Sequence, residues 1–305
     1  MEAFARQVDV LVCGGGVAGV SAAIAAARAG MKTALVEKTV FPGGLATSGL
    51  INVYLPLCDG CGRQVTFGLA EELLHLSMRY GPGVVPPWAG SRGAKGQPRY
   101  RVTFSPASFV LALDEALEEA GVELWLDTLA CVPVMEGRRV AGVEMEAKEG
   151  RGRILAGCTI DATGDADVAF RAGVPCAEER NAGAMWAIEF DDRAASASGL
   201  DGKDSGRIAM VRFGKHSRED GDRSEARADS AREVTRFALE GRRLLRDHYR
   251  KLYAAQDEAA RLERFPVTLP AMAQFRTTRR IAGQALLSDG QHACRREDSI
   301  GLVAD

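Results

Sequence analysis

The chain opens on a short apolar run, Val8-Asp9-Val10-Leu11-Val12-Cys13, that stops at Gly14-Gly15-Gly16. A run of that length ending on glycines predicts a buried strand. An alanine-rich stretch follows as a helix, and Thr33-Ala34-Leu35-Val36-Glu37 predicts a second strand ending in an acid. Helical spacing returns over residues 106–120, with Pro106 at the start and Gly121 closing the element. Val122-Glu123-Leu124-Trp125-Leu126 reads as a strand, as do residues 129–135 and 139–147, joined by Glu136-Gly137-Arg138. A last strand of this series, Thr159-Ile160-Asp161-Ala162, runs into Thr163-Gly164-Asp165. Beyond Val174 the pattern changes. Residues 191–230 are rich in Asp, Arg, Ser, Ala and Gly with weak periodicity, broken by a predicted strand over Arg207–Arg212. From Ala228 onward Val234, Phe237, Leu245 and Leu252 form a stripe at helical spacing, with charged residues between them on a solvated face.

Strand, glycine turn, helix and acid-tipped strand, in that order, describe a dinucleotide-binding βαβ unit. Gly14 allows the tight turn, Gly16 lets the backbone approach a pyrophosphate, and Gly19 brings the helix against the sheet. The turn Gly14-Gly15-Gly16-Val17-Ala18-Gly19 then offers free N–H groups and the positive end of a helix dipole to phosphates. Glu37 is placed to accept two hydrogen bonds from ribose hydroxyls, and its charge disfavours the 2′-phosphate of NADP. Where a simple NAD dehydrogenase would continue with βα units, this chain has a second glycine loop, Lys38-Thr39-Val40-Phe41-Pro42-Gly43-Gly44-Leu45-Ala46-Thr47. Its small residues let backbone lie along an extended ligand.

Composition narrows the class further. At 305 residues the chain can bury a large core and hold one large or two smaller domains. Lys and Arg number 39 against 41 Asp and Glu, a formal charge of -2, which points neither to nucleic acid nor to an anionic membrane. No apolar run is long enough to span a bilayer, and the first strand begins so soon after Met1 that no signal peptide is expected. Seven scattered cysteines suit a reducing compartment better than a disulfide framework. These features predict a cytoplasmic protein.

The glycine fingerprint, the Gly43-Gly44-Leu45-Ala46-Thr47 loop and the Asp161-Ala162-Thr163-Gly164-Asp165-Ala166-Asp167 segment together resemble the FAD-dependent oxidoreductases with a glutathione-reductase type of Rossmann fold. The similarity is to the bacterial branch related to the flavin subunit of heterodisulfide reductase, and Thr278-Arg279-Arg280-Ile281-Ala282-Gly283 is similar to a segment of that branch. The resemblance covers residues 8–175 densely and 276–305 thinly. It implies an α/β fold: a Rossmann-like FAD/NAD(P)-binding three-layer domain over residues 1–173, an inserted α+β cap over 174–275, and a return to the first domain over 276–305. It implies FAD as cofactor, with Gly14 to Gly19 on the pyrophosphate and Glu37 on the adenosine ribose. Lys38, Gly43, Gly44, Leu45, Ala46 and Thr47 would lie along the flavin side, the backbone of Ala130 would meet adenine, and Ala162, Thr163, Gly164 and Asp165 would close over the dinucleotide. The implied activity is hydride transfer between a small-molecule substrate and flavin, with reoxidation by a second acceptor. Relatives continue past the point where this sequence stops, into a strand and a glycine-rich helix start that hold the flavin end. The flavin half is therefore expected to be incomplete, leaving either a truncated, non-catalytic nucleotide-binding chain or a subunit completed by a partner polypeptide. An electron-transfer role with iron–sulfur partners follows from the same kinship.

Several residues could carry further chemistry. Cys58-Asp59-Gly60-Cys61 reads as a redox disulfide, as half of a metal site, or as two cysteines in a glycine turn. A tetrahedral site needs four ligands, and Cys131, Cys158, Cys176 and Cys294 stand singly, so no metal is expected. Cys13 reads as a small core residue. Arg276, Arg279 and Arg280 form a basic cluster able to hold a substrate carboxylate, or to be no more than a structural cluster. His75 falls in a helical stretch, and His216, His248 and His292 lack a visible partner. No Ser/His/Asp order or carboxylate pair stands out, and no catalytic acid or base is named.

Overall fold

In the computed structural model, the residues described are 3–55, 57, 64–81, 102–178, 180–182, 184–192, 208–214, 225–227, 229–254, 259–275 and 278–283. The amino-terminal unit runs β1 (Ala5–Cys13), α1 (Val17–Arg28), β2 (Thr33–Val36), a short 3-10 turn (Gly44–Ala46), β3 (Val53–Tyr54), α2 (Leu69–Met78), β4 (Val102–Thr103), α3 (Pro106–Glu119), β5 (Glu123–Trp125), β6 (Leu129–Glu136), β7 (Arg139–Ala147), β8 (Gly150–Asp161) and α4 (Asp167–Arg171). Six strands form one sheet in the order β5-β2-β1-β8-β7-β6. The first four are parallel, with β1 between β2 and β8; β7 and β6 continue antiparallel. The chain leaves β1 towards β2 on one side while β8 joins on the other, so the crevice beyond the carboxyl end of β1 is a topological switch point.

Strand alternation explains the layers. Val12 of β1 and Leu35 of β2 face a cluster built from α1, α2 and α3, including Val20, Ile24, Leu73, Phe109, Leu113 and Leu117. Leu11 and Cys13, with Ala34 and Val36, face the opposite way, onto Val143 and Met145 of β7 and Ile154 and Ala156 of β8. The parallel strands are thus covered by helices on one face, and on the other their side chains share an apolar cluster with those of β7 and β8. Helix α3 shows how local sequence sets this packing. Pro106 occupies its first turn, the Ser105 hydroxyl accepts from the Ser108 N–H at 3.4 Å, and Phe109, Ala112, Leu113, Ala116 and Leu117 fill one face. Gly121, at φ 74°, turns the chain into β5. Each fully buried Phe or Leu contributes about 1.5–3 kcal/mol.

One strand is longer than the sequence pattern suggests. The segment predicted at 159–162 is only the end of β8, which begins at Gly150. Gly150, Gly152 and Gly157, with exposed Arg151 and Arg153 between them, mask the alternation that buries Gly152, Ile154 and Ala156. The other predicted elements of this unit fall within a few residues of their observed bounds.

The remaining chain comprises β9 (Cys176–Glu178), β10 (Arg180–Ala182), β11 (Ala184–Asp191), β12 (Ile208–Gly214), β13 (Glu225–Arg227), α5 (Ala231–Ala254), α6 (Ala259–Glu263), β14 (Arg264–Thr268) and β15 (Arg279–Ile281). An antiparallel sheet β12-β11-β14 carries α5 against it, through Met185, Ala187, Val211, Leu245 and Tyr249. The buried stripe of α5 is Phe237, Gly241, Leu245 and Tyr249. β15 pairs antiparallel with β9, so the chain returns beside the point where it left the first unit. Among the described residues no helix is long and apolar enough to cross a membrane.

Candidate dinucleotide-binding site

At the carboxyl end of β1 three loops meet: 14–19, 37–47 and 161–167. Gly14 holds φ 103°, and a Cβ on it would lie 2.4 Å from the Ala162 carbonyl oxygen of the neighbouring strand end. A Cβ on Gly19 would lie 1.8 Å from the Gly14 carbonyl oxygen, so the helix reaches the turn only because that side chain is absent. Gly16 differs. It is the N-cap of α1, with no side-chain cap, φ -64° and ψ 175°, and a Cβ there would meet no protein atom within 4 Å. The first N–H groups of a helix lack intrahelical acceptors, and α1 has no acid in its first turn. Open space in front of an uncapped helix start is a place for an anion.

The second glycine loop packs onto the first through main chain. Gly43 donates its N–H to the Gly15 carbonyl at 2.7 Å and forms a parallel bridge with Gly16. A Cβ on Gly44 would stand 2.9 Å from Gly16 Cα. Within the loop Thr47 is buried and donates its hydroxyl to the Pro42 carbonyl at 2.6 Å, so this side chain shapes the loop itself. Leu45 and Ala46 are half-buried and Lys38 is exposed.

Glu37 stands one residue past β2 and is buried at 7 % exposure. Its Oε2 accepts from the Gly15 N–H at 2.7 Å, and its Oε1 accepts from the Thr39 N–H and hydroxyl, both at 2.9 Å. A carboxylate has about four acceptor positions. Three are filled here by the protein itself, and one is left open.

The third loop is organised by Asp161, at the end of β8. Asp161 accepts from the Thr163 N–H (3.1 Å) and hydroxyl (2.7 Å) with one oxygen, and from the Ala169 N–H (2.8 Å) with the other. Thr163 in turn accepts from the Asp167 N–H at 2.9 Å. An acid followed by Ala-Thr-Gly is the signal of a side-chain-closed turn. Gly164 takes φ 82° with open space around it, its carbonyl accepts the Thr278 hydroxyl at 3.0 Å, and Ala162 donates its N–H to the Cys13 carbonyl at 2.8 Å. Burial pushes the Asp165 carboxyl above the ordinary range, with Asp167 adding to the rise and Thr278, Lys38 and Arg279 opposing it.

The arginine cluster divides. Arg279 and Arg280 are neighbours on β15, where successive side chains point to opposite faces. Arg279 is drawn in, pairing with Asp167 at 3.2 Å and lying 3.9 Å over the Phe170 ring; Arg280 is exposed. They do not form one cationic site. Arg276, Cys58, Cys61, Cys294, His216 and His292 lie outside the described residues. The Ala130 carbonyl accepts from Arg171 at 3.0 Å, as does that of Cys131. Cys13 is fully buried, and burial, with the Asp161 charge, pushes its thiol up to about 12, as a core residue should be. Among the described residues no group of three or more metal-ligating side chains assembles.

Two contacts unforeseen in the sequence tie the second unit to the chain just after the second glycine loop. Ala271 donates its N–H to the Ser48 carbonyl at 2.8 Å. Buried Gln274 donates to the Gly49 and Trp186 carbonyls and accepts from the Trp186 N–H at 2.8 Å.

A parallel sheet with a glycine turn, an acid-tipped second strand and a covering antiparallel layer defines a nucleotide-binding flavoprotein fold. The FAD dependent oxidoreductase family model matches residues 9–189, more than half of the chain, and the chain belongs to that family. Among solved structures, p-nitrophenol 4-monooxygenase from Pseudomonas putida DLL-E4 is 18% identical with a TM-score of 0.50, over 77% of this chain and 62% of that one. A geranylgeranyl bacteriochlorophyll reductase-like protein from Thermoplasma acidophilum is 19% identical with a TM-score of 0.45, over 69% and 57%. The chain therefore spans less than two thirds of either protein's length.

Proposed function

We propose that this chain is the FAD-binding part of an oxidoreductase that moves a hydride between a small-molecule substrate and bound flavin, with a second acceptor completing the cycle. The reading rests on the open, uncapped start of α1, where Gly16 leaves room for a group that the protein itself does not supply. FAD fits this cradle: its pyrophosphate would face the N–H groups of Gly16, Val17 and Ala18, its adenosine ribose the remaining acceptor position of Glu37. The loop Lys38–Thr47 would run along the flavin side, with Gly43, Gly44, Leu45 and Ala46 offering main chain and small side chains. Ala162, Thr163, Gly164 and Asp165 would close the opposite wall. Ala130 could meet adenine through its N–H, its carbonyl being held by Arg171.

Bound FAD supplies the hydride acceptor; the chain supplies position and electrostatics. Its uncapped N–H groups neutralise the diphosphate, and Asp161 fixes the loop that covers it. The segment from 174 to 275 would act as a cap carrying substrate contacts, and a cytoplasmic setting fits the cysteine usage. Freshly purified protein should show a flavin absorbance spectrum that dithionite bleaches. Protein that is colourless, and that on titration binds ADP but not FAD, would defeat the oxidoreductase reading and leave a nucleotide-binding chain.

A further inference from the structure

Helix α5 carries an arginine pattern that its own surroundings do not explain. Two arginines of this helix are paired within a turn: Arg236 with Glu233 (2.7 Å) and Glu240 (3.2 Å), and Arg250 with Asp247 (3.3 Å). Arg242 and Arg246 are exposed, one turn apart, and neither has an ion-pair partner among the described residues. The positions three and four residues to either side of them hold no acid: Ala238, Leu239, Leu245, Tyr249 and other arginines. Like charges at that spacing repel across a helix face. A cation pair left uncompensated where the same helix elsewhere provides acids calls for an anion from outside.

What lies beside the two arginines sets the rest of the ligand. They edge a cavity of about 460 Å³ between α5 and β14, within the range of small-molecule sites. Its wall includes Leu245, Tyr249, Tyr253 and Leu269. The two tyrosine rings stack at 5.7 Å, and both hydroxyls are engaged internally, Tyr249 donating to Glu189 at 2.8 Å and Tyr253 to the Arg264 carbonyl at 2.9 Å. The rings therefore offer carbon, not donors, to the groove. A guanidinium pair above an apolar floor recognises one kind of molecule: an acid head on a hydrocarbon body.

We propose that this groove binds a small amphipathic carboxylate, its head group between Arg242 and Arg246 and its body along Leu245, Tyr249, Tyr253 and Leu269. The site uses none of the nucleotide loops, so it stands or falls independently of the flavin reading.

Isothermal titration of the full chain with octanoate, octan-1-ol and octylamine tests it. Octanoate should bind at least tenfold more tightly than the alcohol, and the amine should show no binding. R242E/R246E should weaken octanoate at least tenfold, while alcohol binding and melting temperature stay as in the parent; Leu269→Glu should weaken both ligands. Equal affinity for acid and alcohol, or octanoate binding untouched by the double charge reversal, would overturn the proposal. So would co-sedimentation with phosphatidylglycerol vesicles, lost in the double variant, from a protein that does not bind octanoate; the arginines would then be reading a lipid surface.

Discussion

Gly16 and Gly19 sit one helical turn apart, yet the structure assigns them opposite sensitivities. An alanine methyl at Gly16 meets no protein atom within 4 Å, and φ -64° with ψ 175° suits any L residue. Replacing an N-cap glycine by alanine costs about 0.5–1 kcal/mol of capping, and the stiffer unfolded chain returns about 0.4–1 kcal/mol. Gly16→Ala should therefore be close to neutral for stability, moving the melting temperature by less than about 2 °C. The same methyl enters the space where a pyrophosphate would touch the helix start. Losing one or two charge-assisted hydrogen bonds at about 1.5–3 kcal/mol each weakens FAD and ADP binding by about 10- to 20,000-fold. Gly19→Ala places a Cβ 1.8 Å from the Gly14 carbonyl oxygen, so turn and helix must separate; folding itself should suffer, by about 3 kcal/mol or more. Thermal melts without ligand and fluorescence titration with FAD separate the two effects. If Gly16→Ala binds FAD within threefold of the parent, the space before α1 is not the phosphate site. If it melts as low as Gly19→Ala, that space is not open.

Three further outcomes follow from buried ionisable groups. Glu189 is 2 % exposed and held by Arg264 at 2.6 Å and the Tyr249 hydroxyl at 2.8 Å, so Arg264→Met should cost about 3–5 kcal/mol in urea melts. Adding Glu189→Gln should recover a large part of that loss; a double variant as unstable as the sum of the singles would refute the coupling. The Asp165 carboxyl has a folded pKa raised above its unfolded value, so between the two the folded state holds the extra proton. Stability should fall as pH rises through that window, and Asp165→Asn should flatten the dependence and raise the neutral-pH melting temperature. A steeper dependence in Asp165→Asn would reverse the sign of the reasoning. Finally, the Cys13 thiol should resist Ellman's reagent at pH 8 until guanidinium unfolds the chain, read as delayed labelling of that cysteine by mass spectrometry of digests.

The glycine fingerprint was legible because each glycine answers a local backbone demand: positive φ at Gly14 and close approach at Gly19 can be read from order and spacing alone. The α3 helix was legible for the same reason, with Ser105, Pro106 and Gly121 marking its ends. Illegible features depend on partners far away in the chain. Strand β11 escaped notice because buried Glu189 interrupts its apolar face, and only Arg264 and Tyr249, 75 and 60 residues on, make that burial tolerable. The state of the Glu37 carboxylate was equally hidden, since an acid at a strand tip does not reveal that Gly15 and Thr39 already occupy it. The pairing of Arg279 with Asp167 was hidden in the same way, since that acid lies 112 residues back in the chain.

The ladder between β9 and β15 anchors the root of the second unit, while Gln274 grips Gly49 and Trp186 at a separate place. Two anchorages define an axis. The returning strand and the Gln274 amide, with the Ala271 N–H, thus fix the second unit to the first at two separate points, one beside loop 161–167 and the other at Ser48 and Gly49.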